Sequence, residues 1–198
     1  MKSYYDDNLL ASKLKGSYLF FDTDVLIALT YYQPLLNDFL SLLQNIECSF
    51  LIIPSVQFEF TRGSETIEKY NERLEYLKKY FVTYPIEKHL DSEDMKEYIV
   101  VLQRIIGSFK PGQKTMSYTD FLLSACLYKF KSHSYLITEN HRDFTPSIFD
   151  RLCLVTLDTE NDIRNLGIYN LSLEKFSKAA LDVLKNKPVS PSVDDMPF

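Results

Sequence analysis

Short apolar runs alternate along this chain with longer segments whose apolar residues recur at helical spacing. Four runs are bounded by polar or turn-forming residues and have the length of buried strands. They lie at residues 17–21, 48–53, 135–138 and 152–156. Because helical patterns separate them, we expect a three-layer α/β/α fold with a central, mostly parallel sheet of four to five strands.

The same pattern divides the chain into four parts. Polar residues 1–16 precede the first run and are interpreted as an N-terminal leader. The alternation of strands and helices occupies residues 17–160. A helical insertion is predicted within it at about 64–115. One helix, predicted to run from Ser55 to about Phe81, extends into this insertion. A C-terminal helical extension is predicted over residues 161–187, and the composition of residues 188–198 predicts a disordered tail.

Composition excludes several classes of protein. The 198 residues, 45% of them hydrophobic, suffice for a sizeable core and are too apolar for a disordered chain. No apolar run approaches the ~18 residues that span a bilayer, and the first fourteen residues are polar and acidic, unlike a signal peptide. We therefore expect a cytoplasmic protein with no membrane partner. Its three widely spaced cysteines are typical of buried, reduced thiols.

Charge and motif content narrow the chemistry. The net charge is −5, from 22 Lys and Arg against 27 Asp and Glu, which argues against binding nucleic acid by overall attraction. The three histidines and three cysteines lack the spacing of a zinc site, and the chain contains no phosphate-binding glycine loop. Any nucleic-acid substrate therefore needs a local binding site.

Four acids are expected beyond the carboxyl ends of the predicted strands. Asp22 ends the first strand, and Glu59 lies about one turn into the helix after the second. Asp120 begins the helix before the third strand, and Asp143 follows that strand by a short turn. Ligands of open parallel sheets bind at this edge. Clustered carboxylates repel one another unless a cation offsets them, so this convergence predicts bound Mg²⁺ or Mn²⁺.

Each acid also has an ordinary explanation. Asp22 could cap a helix, and Asp120 stands at capping-box spacing from Ser117. Glu59 could be an acid favoured by a helix dipole, and Asp143 a turn residue. The metal-site hypothesis depends on all four coming together.

Four segments carry a resemblance to a known family. They are LFFDTDVLIAL with Asp22, IIPSVQFEFTRG with Glu59 and Gly63, SYTDFLLSACLYKF with Asp120, and YLITENHRDF with Asp143. In this order, followed by a last strand at residues 152–157, they resemble the motifs of PIN-domain nucleases. The resemblance covers roughly residues 17–157.

This resemblance implies a PIN-like nuclease domain and a metal-dependent endoribonuclease. Asp22, Glu59, Asp120 and Asp143 would be its catalytic and metal-binding residues. Many small bacterial relatives are toxins of toxin–antitoxin pairs, similar to the virulence-associated protein C group, so the resemblance also implies an antitoxin partner and a homodimer. The first motif of the family usually reads Asp-Thr-Asn, whereas Asp24 stands here, and the segment at residues 63–115 is longer than in compact toxins.

Further roles follow as hypotheses from this reaction. Asp22 and Asp120 are the first choices for direct metal ligands, with Thr138 and Asn140 orienting them. Candidates for contact with RNA phosphates are Lys110, Lys114 and Arg142, and also Lys129 and Lys131. His141 is interpreted as a surface residue, since the mechanism requires no histidine base.

Two alternatives remain open. FDTDVL approaches the Asp-x-Asp signature of haloacid-dehalogenase-like phosphatases, in which Asp22 would be the nucleophile and Asp24 the general acid. That reading leaves Glu59 without a role. The second alternative is a non-catalytic PIN-like module that binds RNA or protein. It remains open because the four acids indicate that the chain can bind a metal ion, not that it catalyses a reaction.

Overall fold

A seven-stranded mixed sheet organises the chain in the computed structural model, which describes residues 2–106, 116–158 and 162–185. In chain order its strands are β1 (Lys2–Tyr4), β2 (Tyr18–Phe21), β3 (Ser49–Ile52), β4 (Val82–Thr83), β5 (Ser134–Thr138), β6 (Phe149–Asp158) and β7 (Ile163–Leu171). The order across the sheet is β1-β6-β7-β5-β2-β3-β4. The α/β class is therefore confirmed, whereas the prediction of four to five strands is too low.

Eight α-helices accompany the sheet in the described ranges. They are α1 (Asp7–Leu14), α2 (Thr23–Tyr31), α3 (Gln33–Asn45), α4 (Pro54–Arg62), α5 (Ile67–Tyr80), α6 (Glu93–Ile106), α7 (Tyr118–Phe130) and α8 (Leu173–Lys185). Two short 3-10 helices lie at Ile86–His89 and Lys131–His133. Among these described helices, none has the length and apolar content needed to cross a membrane.

The parallel half of the sheet positions the functional residues. β2 pairs in parallel with β3 on one side and with β5 on the other, so the carboxyl ends of all three strands meet at one edge. The chain leaves β2 towards β3 and later returns to β5 on the opposite side of β2. In open α/β sheets, ligands bind in the crevice at such a reversal of strand order. Here the crevice lies between β2 and β5.

The other half of the sheet is antiparallel. β6 and β7 form a hairpin, β7 pairs with β5, and β1 pairs with the outer edge of β6. The prediction of a mostly parallel sheet therefore describes only the half from β4 to β5. The strand expected at residues 152–156 is part of the longer β6, and β7 lies in the region predicted as a C-terminal helical extension.

The expected long helix from Ser55 to Phe81 is two helices. α4 ends at Arg62 with Gly63 as its C-cap, and Thr66 begins α5 by accepting a hydrogen bond from the Lys69 backbone N–H at 3.2 Å. The Arg73 guanidinium of α5 donates to the Phe60 carbonyl of α4 at 2.6 Å, which ties the two helices together across the turn. The predicted helical insertion at 64–115 also contains the edge strand β4.

Both termini of the described chain belong to the fold. Leu10 and Leu14 of α1 are fully buried, so the segment interpreted as an N-terminal leader contributes β1, α1 and part of the core. At the other end, Phe176 of α8 packs against Tyr98 and Tyr128, whose rings stack at 4.1 Å between centroids. The predicted tail at 188–198, Lys110 and Lys114 lie outside the described residues.

Two isoleucines of β7 test whether residues 163–171 form a strand of the sheet. Ile168 is fully buried, whereas Ile163, at the start of the same strand, is 64% exposed. We expect Ile168→Ala to lower the free energy of unfolding by about 2–5 kcal/mol, because it leaves a cavity in the core. Ile163→Ala, the matched control, should change it by no more than about 0.5 kcal/mol. Urea unfolding measures both, and equal effects would contradict the placement of β7.

Candidate functional site

Acidic side chains from four separate segments meet at the carboxyl edge of the parallel strands. Asp22, Glu59 and Asp120 line a cleft of about 270 Å³ between the starts of α2 and α7 and the middle of α4. Asn140 also lines this cleft and contacts Asp143 behind it. The cleft defined by these residues is called the carboxylate cleft below. The four acids predicted to converge do lie in one connected cluster.

Asp22 is held at the crevice between β2 and β5. As the N-cap of α2, its Oδ1 accepts a hydrogen bond from the Thr23 backbone N–H at 2.6 Å. Its Oδ2 accepts from the Thr138 hydroxyl, at the end of β5, at 2.6 Å. That hydroxyl in turn accepts from the Asn140 backbone N–H at 2.9 Å. The buried Asp22 carboxylate is thus fixed from both strands that flank the crevice.

Glu59 joins three helices. Its Oε2 accepts from the Thr23 hydroxyl of α2 at 2.8 Å, and its Oε1 accepts from the Thr119 hydroxyl of α7. Glu59 itself lies in the second turn of α4, which follows β3 through Pro54. This geometry orders the carboxylate with two neutral hydroxyl donors.

Asp120 and Asp143 share one amide. The Asn140 side-chain amide donates to Asp120 Oδ2 at 3.1 Å and to Asp143 Oδ2 at 3.0 Å. The Ser117 hydroxyl accepts from the Asp120 backbone N–H and donates to the Asp120 carboxylate, which forms the predicted helix cap. Arg142 donates from Nε to Asp143 Oδ1 at 2.7 Å. Asn140 therefore connects the two acids, as an orienting residue would.

Burial and mutual repulsion set the protonation of these acids. Burial, together with the Asp120 and Asp24 carboxylates, raises the pKa of Asp22 from 3.8 to about 7, although the Thr138 hydroxyl opposes the shift. Burial and the nearby Asp143 and Glu59 raise the pKa of Asp120 to about 6. Burial also acts on Asp143, but hydrogen bonds from Arg142 and Asn140 outweigh it and lower its pKa.

Sequence reasoning missed several side chains of the carboxylate cleft. Arg62 is the one cation among the described residues that line it, and it lies on α4 three positions after Glu59. That spacing places Glu59 and Arg62 on one face of the helix and could have indicated that Arg62 lines the cleft. The hydroxyls of Thr23 and Thr119 were also missed, although each stands next to a predicted acid. Asp24 lies exposed in the lining of the cleft.

The cationic candidates are placed unevenly. Arg142 adjoins the site through its ion pair with Asp143, and its side chain remains 59% exposed. Lys129 lies nine residues after Asp120 on α7, which is about 14 Å along the helix axis, and Lys131 follows the helix end. Lys129 and Lys131 thus lie at the opposite end of α7 from Asp120, and their contact with RNA phosphates stays a prediction.

His141 has both ring nitrogens engaged. Nε2 lies 3.0 Å from the Asn165 carbonyl oxygen, which can only accept, and Nδ1 lies 2.7 Å from the Tyr169 hydroxyl. In the neutral imidazole, this arrangement places the proton on Nε2 and makes the Tyr169 hydroxyl the donor to Nδ1. His141 lies on an exposed turn, in agreement with its interpretation as a surface residue.

The donor set fits a hard divalent cation bound largely through water. Within the described ranges, no group of three or more His, Cys, Asp and Glu side chains is arranged to hold a metal ion. Mg²⁺, however, usually retains several waters and binds through one or two carboxylates. Asp22 and Asp120, whose pKa values are raised first by burial and then by neighbouring carboxylates, are the pair that would hold it.

Comparison of the chain with models of protein families, with curated proteins and with solved structures gives no match. The functional interpretation therefore depends on the geometry and chemistry of the carboxylate cleft itself.

The protonation of Asp22 predicts a pH-dependent stability. The folded state binds this proton more tightly than the unfolded chain, so stability is lost as the pH rises between 3.8 and about 7. We expect Asp22→Asn, measured by urea unfolding with a chelator present, to be more stable than the original chain by roughly 1–4 kcal/mol at about pH 8. At about pH 4 the difference should largely vanish.

The matched control is Asp182→Asn, at an exposed position of α8. It should not reproduce the pH-dependent gain. A gain at Asp22 that is the same at both pH values would contradict the raised pKa of this buried carboxyl group.

Proposed function

We propose that this chain is a metal-dependent endoribonuclease that hydrolyses phosphodiester bonds at the carboxylate cleft. The observation that supports this most is the convergence of Asp22, Glu59, Asp120 and Asp143 in one network at the reversal of strand order. The choice of RNA as substrate rests on the resemblance of the four motifs to PIN-domain nucleases. The antitoxin partner, the homodimer and the cytoplasmic location remain predictions.

The acids differ in their proposed roles. Asp22 and Asp120 would bind Mg²⁺ or Mn²⁺ directly, while Glu59 and Asp143 would contact metal-bound water. Such an ion, when bound, supplies charge neutralisation at the phosphoryl oxygens and activation of water. Thr138 and Asn140 hold the carboxylates in position through the hydrogen bonds described above. Arg62 and Arg142 are exposed cations at this site that could contact flanking phosphates.

The network around Glu59 supports Asp22 as a ligand more than as a nucleophile. Glu59 accepts from the Thr23 hydroxyl, and the Thr23 backbone N–H donates to Asp22. A phosphatase of the Asp-x-Asp type would leave this ordered Glu59 carboxylate without a role. Trapping of a phosphoenzyme with beryllium fluoride would revive that alternative.

Cleavage of labelled single-stranded RNA tests the proposal. We expect hydrolysis with Mg²⁺ or Mn²⁺ and none with a chelator. Asp22→Asn and Asp120→Asn should each lower the rate by at least about 100-fold, because each removes a ligand charge, and Thr138→Val should lower it by about 10–100-fold by releasing Asp22. Product formation on a denaturing gel gives the rates.

Asp182→Asn serves as the control for purification and should cleave like the original chain. Cleavage that persists in Asp22→Asn would point to a contaminating nuclease. No cleavage by the original chain under any metal condition would favour the non-catalytic module.

Metal binding can be measured separately from turnover. Because a ligand that binds only the folded state stabilises it, Mg²⁺ at about 100 times its dissociation constant should raise the Tm by about 5 °C or more. The shift should be lost in Asp120→Asn and retained in Asp182→Asn, as followed by thermal unfolding monitored by circular dichroism. A Tm that does not respond to Mg²⁺ in the original chain would contradict the proposed metal site.

A further inference from the structure

The exposed face of α4 carries two side chains that the network of acids does not use. Phe58 immediately precedes Glu59 on this helix, and Arg62 follows Glu59 by three positions and lines the carboxylate cleft. Residues four positions apart on a helix lie on the same face, with about 5–6 Å between their Cβ atoms. Phe58 and Arg62, called the α4 edge below, thus place an aromatic ring beside a guanidinium group at this cleft.

The ring of Phe58 takes no part in the core. Val56 and Phe60 of the same helix are buried, whereas Phe58, which lies between them in the sequence, is 65% exposed. In the described part of the chain, its ring contacts no other aromatic ring and no cationic group. Phe60 differs in this respect, because the guanidinium carbon of Arg73 lies 5.2 Å from the centroid of its ring. The surface of the Phe58 ring is therefore available to a ligand.

The guanidinium group of Arg62 is also available. Arg62 is exposed, and it forms no ion pair or hydrogen bond with any described residue. This holds although four acids line the same cleft, namely Asp22, Asp24, Glu59 and Asp120. A guanidinium group binds phosphate oxygens through its planar set of N–H donors. Arg62 therefore keeps these donors for a phosphate at the carboxylate cleft.

Hydrogen bonds fix α4 relative to the helices that carry the other acids. Glu59, which lies between the two residues of the α4 edge, accepts from the Thr23 hydroxyl of α2 at 2.8 Å and from the Thr119 hydroxyl of α7. The backbone that carries Phe58 and Arg62 is thereby held against the starts of α2 and α7. A ligand at the α4 edge would consequently lie next to the site proposed for the metal ion.

We propose that the α4 edge binds one unpaired nucleotide of the RNA beside the carboxylate cleft, with its base stacked on Phe58 and its phosphate bound by Arg62. This proposal rests on the proposed nuclease function. A single exposed apolar side chain is common on protein surfaces. A ring beside an unpaired guanidinium group, however, offers one surface for a base and another for a phosphate. Every base has an aromatic face, so the contact favours unpaired RNA without selecting a sequence.

Two labelled strands of about ten nucleotides separate the two contacts. One is single-stranded RNA, and the other has the sugars and phosphates but no bases. Fluorescence anisotropy measures their binding with a chelator present, so that cleavage does not compete. Phe58→Leu should weaken binding of the RNA by at least about fivefold and leave binding of the base-free strand unchanged. Phe58→Tyr, which keeps an aromatic ring, should bind the RNA like the original chain.

Arg62 is tested by the salt dependence of the same binding. Arg62→Gln should weaken binding of both strands and make the slope of log K against log salt concentration shallower by about 0.7, because one phosphate contact is lost. Phe58→Leu should leave that slope unchanged. Tyr4→Leu and Arg151→Gln are the matched controls, at exposed positions of β1 and β6 in the antiparallel half of the sheet. Both should bind the two strands like the original chain.

Several results would overturn the assignment. RNA binding that is unchanged in Phe58→Leu, or a loss that is equal for the base-free strand, would exclude stacking on this ring. An unchanged salt slope in Arg62→Gln would exclude the phosphate contact. A loss in Phe58→Leu that is as large for an RNA duplex as for the single strand would show that the contact does not require an unpaired base. No binding of the RNA by the original chain would remove both contacts.

The outcome is separable from that of the nuclease assay. A chain that cleaves RNA, and whose RNA binding is unaffected by Phe58→Leu and Arg62→Gln, retains the proposed function and loses the α4 edge as a binding site. RNA binding that depends on both residues in a chain that cleaves no RNA retains the binding site and removes the nuclease.

Discussion

Negative charge held at one edge of the sheet by neutral donors is the constraint on which the rest of the site depends. In the described part of the chain, the partners of Asp22 and Glu59 are threonine hydroxyls and one backbone N–H, and those of Asp120 are Ser117 and Asn140. Asp143, the fourth acid of the cluster, pairs instead with Arg142, as Glu139 pairs with Arg164 and Asp150 with Lys175. Neutral donors orient a carboxylate without neutralising it, so the cluster retains its capacity for a cation.

The elements that place the acids could be predicted because their signals are local. β2, β3 and β5 are short apolar runs, and every side chain of β5 is buried, as in a strand covered on both faces. Once these strands are taken as parallel, the residues after them must share one edge. The convergence of Asp22 with Thr138 therefore followed from pattern and topology, without any knowledge of their hydrogen bond.

The missed elements have weaker or conflicting local patterns. β7 contains Gly167, and a glycine inside a strand pattern argues against a strand. The close approach of the Tyr169 and His141 rings requires this glycine, and the sequence alone does not reveal that contact. β1 and β4 have three and two residues, and their pairing depends on partners far along the chain. Arg62 and the hydroxyls of Thr23 and Thr119 were not predicted for the same reason. Their places in the cleft depend on the packing of α2, α4 and α7 against one another.

Helix capping and function are not alternatives at this site. Asp22 caps α2 and lines the cleft, and Ser117 binds both the Asp120 backbone and its carboxylate. The hydrogen bonds that begin α2 and α7 also orient Asp22 and Asp120, so each of these two acids fits an interpretation as part of a helix cap when considered alone. Asparagine is as good an N-cap as aspartate, whereas alanine costs about 0.5–2 kcal/mol. Replacement of Asp22 by asparagine therefore removes the charge of the carboxylate and keeps the helix cap, whereas alanine would remove both.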